Sequence, residues 1–309
     1  MRASVSTPRV SVIVPVRNDQ RVDGLLASLA AQQAAPPFEV LVALDGATRS
    51  PQVPMGLATR LLEGPPAGPY AARNRAVREA RGEVVAFTDS DCLCPSDWVR
   101  LATARFEDPA TLALQGASSP ATASRLSGWI QREYERYVAS HAALGFRRFC
   151  NTRNFAIRRE IVLAAPLPEK FPRGGDGAYG VLLERAGIAI EYAPDWVIFH
   201  RHPRSRLAEA RAAFEQGRLG AQWRAEGFDL FGVPEHRDGA GPGGRLIRAA
   251  PTGTRAHLAS AAILAASAVL GAASAVLPGE AGYRAFSRFR RAAHLAGRLV
   301  GESDPRSQG

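Results

Sequence analysis

Through the first two hundred residues, short β-rich apolar runs alternate with segments whose apolar positions recur every three or four residues. That rhythm predicts an α/β fold built on a mostly parallel sheet. Val10 to Val16 reads as the first strand. Across Gln20 to Gln33, Val22, Leu25, Leu26 and Leu29 share one helical face, and Pro36 and Pro37 end that helix before a second strand at Phe38 to Leu44. A short strand at Arg60 to Glu63, a turn-rich loop at Gly64 to Pro69 and a helix from Tyr70 to about Arg81 follow. Glu83 to Thr88 is again a strand, and it runs straight into Asp89, Ser90 and Asp91.

Pro95 to Phe106 predicts the next helix and Leu112 to Gln115 a further strand. The alternation then breaks: Ser124 to Leu144 carries Leu126, Ile130, Tyr134, Tyr137 and Val138 at helical spacing. Phe149 to Ile157 reads as a strand and Gly177 to Ala186 as a helix stopped by Gly187. Ile188 to Tyr192 and Trp196 to Phe199 complete the sheet, and Arg204 to about Glu226 forms a mixed-charge amphipathic helix. These boundaries give an α/β domain over 1–231, a Gly/Pro-rich linker over 232–244 and a basic, Ala-rich helical tail over 245–309. Within the tail, Leu258 to Leu277 runs 20 residues without a formal charge, the length of one bilayer crossing.

The net charge of +10 is concentrated late in the chain: there are 23 basic against 20 acidic residues through His200, and 16 against 9 from Arg201 onward. Arginines flank the apolar run on both sides, which opposes a single crossing and favours an interfacial helix or re-entrant hairpin on anionic lipid; a buried Ala-rich bundle would have the same composition. No basic stretch interleaved with aromatics suggests a nucleic-acid partner. Lys170, the only lysine, lies between Glu169 and Phe171, so the Gly-Lys-Ser/Thr element of a P-loop is excluded. The first strand is not followed by G-x-G-x-x-G, which argues against a dinucleotide dehydrogenase. Three irregularly spaced cysteines, Cys92, Cys94 and Cys150, fit a reducing compartment. With no apolar leader ahead of the first strand, the expected location is cytoplasmic, peripheral on the inner face of the cell membrane.

Asp89 and Asp91 close a strand at the edge where open α/β sheets bind ligands. In extended chain they would face one side, and hard carboxylate oxygens suit Mn²⁺ or Mg²⁺ bound together with phosphate. The same triplet could equally be a helix N-cap before Pro95. His200 and His202, two residues apart on a strand, could both turn to that metal. Plain hydrogen-bonded histidines would have the same spacing.

Several ordered segments together resemble the family 2 glycosyltransferases of the GT-A fold. Val10 to Asn18 looks like that family's opening strand and first nucleotide loop, which implies donor contacts from Pro15, Val16, Arg17 and Asn18. Glu39 to Thr48, with Asp45, resembles the second loop, and Gly68 to Ala76, with Arg73 and Asn74, the third. Arg81 to Cys92, followed by Pro95 and Trp98, is similar to the metal motif, which implies a nucleotide-sugar donor held by Asp89, Ser90 and Asp91 with a divalent metal. Asn151 to Arg159, and Gly175 and Asp176 through Asp195, are similar to the acceptor-side segment. The resemblance implies Asn154 and Gly175 on the acceptor side and Asp176 as the base of an inverting transfer. It spans about residues 9 to 226.

The chain departs from the family pattern at Leu44, where many members carry an acid beside the residue matching Asp45, and at Gly175, where many carry glutamate. No Gln-x-x-Arg-Trp follows, so single transfer is expected rather than processive synthesis. The acceptor is unspecified, with a lipid-linked or polysaccharide acceptor fitting the tail. A sugar nucleotidyltransferase and a non-catalytic sugar- or nucleotide-binding module of the same fold are the alternatives.

Overall fold

The computed structural model describes residues 7–202, 205–225, 228 and 254–302. Strand β1 (Val10–Val16) pairs in parallel with β2 (Phe38–Asp45) and β4 (Val84–Thr88), and β3 (Thr59–Gly64) extends β2, also in parallel. Both faces of β1 are covered, as a central parallel strand requires: Val10, Val12, Val14 and Val16 enter one apolar layer and Ile13 the other. Helix α1 (Val22–Ala30) supplies Leu25, Leu26 and Leu29 to the first layer, and α2 (Pro69–Glu79) supplies Tyr70, Ala76 and Val77 to the second.

Beyond β4 the sheet becomes mixed. Strand β7 (Asn154–Arg158) lies antiparallel to β4, β6 (Ala113–Pro120) antiparallel to β7, and β8 (Ile190–His200) parallel to β6. The two-residue strand β5 (Cys92–Leu93) closes the eight-stranded order β3-β2-β1-β4-β7-β6-β8-β5. Helices α3 (Trp98–Arg105), α5 (Arg159–Ala164) and α6 (Gly175–Arg185) complete this part.

The expected elements are present with three changes. The two short strands expected at 188–192 and 196–199 are one strand, β8, whose register against β6 shifts between Gly116 and Ala117. The expected strand at 149–157 begins only at Asn154, because residues 151–153 turn first. Strand β5 and α5 have no counterpart in the sequence reading because both are short, whereas the last helix falls within the helical tail expected over 245–309.

Two compact units are formed, one from Met1–Ala121 with Phe146–Arg201, the other from Thr122–Gly145 with His202–Gly309. The second is helical: α4 (Arg125–Ala142), α7 (Arg206–Ala225), α8 (Thr254–Val276) and α9 (Gly279–Glu302). Helix α9 packs along α7 and α8 and touches α4. Trp129 and Ile130 meet Tyr283 and Phe286 in its core. There the Glu133 carboxylate accepts from the Tyr283 hydroxyl at 2.6 Å and the Ser287 hydroxyl at 2.9 Å. The linker expected over 232–244 lies outside the described residues.

Candidate active site

The carboxyl ends of β1, β2 and β4 and the start of α2 surround a cleft of about 730 Å³. Pro15, Val16 and Arg17 reach it from β1, Asp45 from β2, Arg73 from α2, and Asp89, Ser90 and Asp91 from β4. The chain folds this way because each strand ends in residues that stop a ladder. Asn18 adopts a left-handed backbone, φ 54°, and its side-chain oxygen accepts from the Thr48 N–H at 2.8 Å, joining the first loop to the second. Asp45 is 3% exposed, and its carboxylate accepts from the backbone N–H groups of Ala67 at 2.7 Å and Gly68 at 3.1 Å. It therefore shapes the loop that launches α2 while still lining the cleft.

Asn74 has a different place from its neighbour Arg73. Its amide donates to the Leu167 carbonyl and the Glu169 carboxylate, each at 2.8 Å, and accepts from the Leu167 N–H at 3.0 Å. It anchors the segment whose Glu169, Lys170 and Pro172 form the opposite rim. Asn18 and Asn74 support the lining without being part of it.

The acidic triplet is not extended. The Cys92 N–H donates to the Asp89 carbonyl at 3.0 Å, closing a turn across the triplet, and both carboxylates line the same cleft. Within the cleft each has its own partners: Asp89 pairs with Arg73, and Asp91 with His200 Nε2 at 3.2 Å and Arg21 at 3.4 Å. Ser90 donates to Asp19 Oδ2 at 2.6 Å, and Asp19 holds Arg21 at 2.9 Å. Burial works against the Asp91 charge. The His200 hydrogen bond and the charges of Arg21 and Arg153 outweigh it and hold the carboxyl at about 2. Burial and Arg153 push the His200 imidazole below its ordinary value, so it is neutral at physiological pH and keeps a nitrogen lone pair.

Strand β8 ends at His200, so the two-residue alternation that would turn His202 the same way does not continue, and the expected pairing of the two imidazoles is corrected. His202 opens the second unit.

On the acceptor side, Gly175 and Asp176 form the first turn of α6. Asp176 Oδ1 accepts from the Tyr70 hydroxyl at 3.2 Å and from the Gly177 N–H at 3.0 Å. Burial raises its carboxyl above the ordinary range, opposed chiefly by Arg73. Asp176 is not among the cleft-lining residues, but it is near enough to Arg73 and Asp89 to feel both charges. Asn154 is a correction. Its amide accepts from Trp98 Nε1 at 2.9 Å and donates to the carbonyls of Ala117 and Trp196, both at 2.8 Å. With 1% exposure and both amide hydrogens and the oxygen bonded inside the core, it serves packing there.

Sequence reasoning missed Asp19, Arg21, Glu169, Lys170 and Tyr70. The first two follow the opening loop directly, and the solitary lysine was its own signal. Glu169 depends on the turn in residues 167–172, which has no periodicity to read, and Tyr70 on a partner 106 positions away.

The donor set suits a hard divalent cation: two carboxylates and a neutral imidazole at one strand end, leaving room for phosphate oxygens and water. Among the described residues no group of three or more His, Cys, Asp and Glu side chains already converges on one point. Arg73 and Arg21 hold the carboxylates instead.

Residues 11–163 match the family model for glycosyl transferase family 2. The chain is similar to the glycosyltransferase AglE of Haloferax volcanii, 25% identical over 205 residues that cover 62% of this chain and 67% of that one. Its structure is similar to the mannosyltransferase PcManGT from Pyrobaculum calidifontis, solved with GDP-Man and Mn²⁺: TM-score 0.57, 22% identity, covering 94% of this chain and 86% of that one. It is also similar to S. aureus TarS solved with UDP-GlcNAc: TM-score 0.52, 16% identity, covering 95% and 90%. These structural likenesses establish the GT-A fold.

Proposed function

The chain belongs to glycosyltransferase family 2, and on that premise we propose that it moves a sugar from a nucleotide-diphosphate donor to an acceptor by a single inverting transfer. The observation that carries this reading is the meeting of Asp89, Asp91, Asp45 and Arg73 in one cleft at the carboxyl edge of the sheet. A divalent cation, Mn²⁺ or Mg²⁺, held by Asp89 and Asp91 with His200 in reach, would stabilise charge on the leaving diphosphate. The solved relatives with GDP-Man and Mn²⁺ and with UDP-GlcNAc support a donor of this class.

Each residue then has a task. Arg73 and Arg21, paired with the cleft's carboxylates, turn to the donor's phosphate oxygens, for which guanidinium is a planar, always-charged partner. Asp45 keeps the α2 loop closed and offers remaining carboxylate lone pairs to the nucleobase, alongside Pro15, Val16 and Arg17. Asp176, with its raised affinity for protons, accepts the proton of the attacking acceptor hydroxyl.

The helical tail supports a membrane-facing acceptor, lipid-linked or polysaccharide. Ala256–Val276 is long and apolar enough to cross a bilayer, with mean hydropathy 1.9. Its arginine-rich flanks favour peripheral attachment to anionic lipid.

Thermal shift with GDP and UDP, each with and without Mn²⁺, tests the site. Asp91→Ala is expected to abolish the metal-dependent rise in Tm, whereas Asp176→Asn keeps that rise and loses transfer. A metal-dependent rise that survives Asp91→Ala would remove the cation site from this cleft.

A further inference from the structure

Two neighbours of the acceptor-side acid have no part in the reading above: the tyrosine bonded to it and the glycine before it. Tyr70 sits in the first turn of α2, 5% exposed, and its hydroxyl donates to Asp176 Oδ1 at 3.2 Å. Its ring fills the space in front of Gly175. A Cβ there would stand 2.8 Å from Tyr70 Cε2 and 2.9 Å from Cδ2, a distance that side chains do not tolerate. Gly175 is thus a notch cut for the tyrosine ring.

The hydrogen bonds on Asp176 are one-sided. The Tyr70 hydroxyl and the Gly177 N–H both reach Oδ1, and among the described residues Oδ2 receives none. Tyr70 is fixed in turn by the Arg73 guanidinium, 5.6 Å from its ring centre.

We infer that Tyr70 is the positioning residue of the acceptor-side base: lodged in the notch at Gly175, its hydroxyl grips Asp176 by Oδ1 and reserves Oδ2 for the acceptor's proton. The inference rests on Asp176 being that base. Two oxygens of one carboxylate are otherwise equivalent, and a base that rotates between them misses the hydroxyl for part of its time. Occupying one oxygen from a rigid aromatic fixes the other in direction as well as in place.

The surroundings agree. Burial pushes the Tyr70 hydroxyl well above its ordinary value, so it stays a donor throughout the working range. The other titratable or charged groups around Asp176 are Arg73 from α2, Asp89 after β4 and the Cys150 thiol before β7, which burial keeps protonated. Burial raises Asp176, whereas Arg73 and the Tyr70 hydroxyl lower it, so loss of the hydroxyl shifts the carboxyl further upward.

The test is a pH titration of the full chain carrying [γ-¹³C]aspartate, with the Asp176 resonance assigned by its loss in Asp176→Asn. Tyr70→Phe keeps the ring and removes the hydroxyl, and the midpoint is expected to move to higher pH. Gly175→Ala keeps the hydroxyl and displaces the ring, and the same upward movement is expected, which serves equally should Tyr70→Phe fold poorly. With GDP-mannose or UDP-GlcNAc and Mn²⁺, Tyr70→Phe is expected to lower kcat about tenfold with the donor KM unchanged. A midpoint that stays still in both variants overturns the inference, even if Asp176→Asn is inactive. Turnover retained by Asp176→Asn overturns the assignment of the base and the inference with it.

Discussion

Asn154 gives both of its amide hydrogens to carbonyls, those of Ala117 and Trp196, and its oxygen to the Trp98 indole. Trp98 and Trp196 stack at 5.1 Å, so one amide stitches three strands and a helix beneath the site. Asn154→Ala would leave a buried indole N–H and two carbonyls unpaired, and a loss of about 3 kcal/mol is expected in urea denaturation. Donor binding measured below the unfolding transition should persist, because no cleft contact is removed. A conserved-looking asparagine in an acceptor-like motif and a core asparagine have the same letter code. What separated them was the register of β6 against β8, where Gly116 leaves room for the amide. Asp45, Arg73, Asp89 and Asp91 were legible because their chemistry follows directly after predicted strands or opens a predicted helix. Tyr70 was not legible, since its partner is 106 positions away.

Elements are where periodicity served best and local competition served worst. Helix α4 starts where a capping sequence says it should: Ser124 accepts from the Ser127 N–H at 3.0 Å, and the Ser127 hydroxyl accepts from the Ser124 N–H at 2.8 Å. The acidic turn escaped the period-two argument, because the short β5 pairs immediately afterwards with the end of β8 and reverses the chain. Contacts between α7 and α9 also lie beyond one-dimensional reading. Gly217 abuts the His294 carbonyl, Gly297 the Phe214 carbonyl and Gly301 the Arg218 carbonyl, so backbones meet where side chains would stand. Gly297→Ala must push the helices apart, and its melting transition is expected several degrees below that of the parent chain. An unchanged Tm would mean that the two helices do not pack this closely.

At the scale of the whole molecule, the tail combines a catalytic chain's needs with an inverted helix. Ser260, Ser267 and Ser274 on α8 are buried, while Leu258, Val269 and Val276 are 66%, 72% and 77% exposed. A helix in water turns its polar side outward, so this arrangement suits an apolar surrounding. Flotation with anionic phosphatidylglycerol vesicles is the check. The full chain is expected to float, and Leu258→Glu with Val269→Glu and Val276→Glu is expected to sink, with less flotation in high salt for the parent. Truncation near Gly244 is the poorer comparison, because α9 also covers α4 and α7. A triple variant that floats as well as the parent would move lipid contact away from α8.

By itself the sequence determined the βα rhythm, the carboxyl-edge position of the acids, the exclusion of a P-loop and the family, since each depends on spacing along a few tens of residues. Only the tertiary structure decided which partners Asp89 and Asp91 take in the cleft, that Asn154 belongs to the core, and that Tyr70 sits against Asp176. Those outcomes depend on which strands pair and in what register. The free energy of such pairing is summed over contacts far apart in the chain, and no local window of residues contains it.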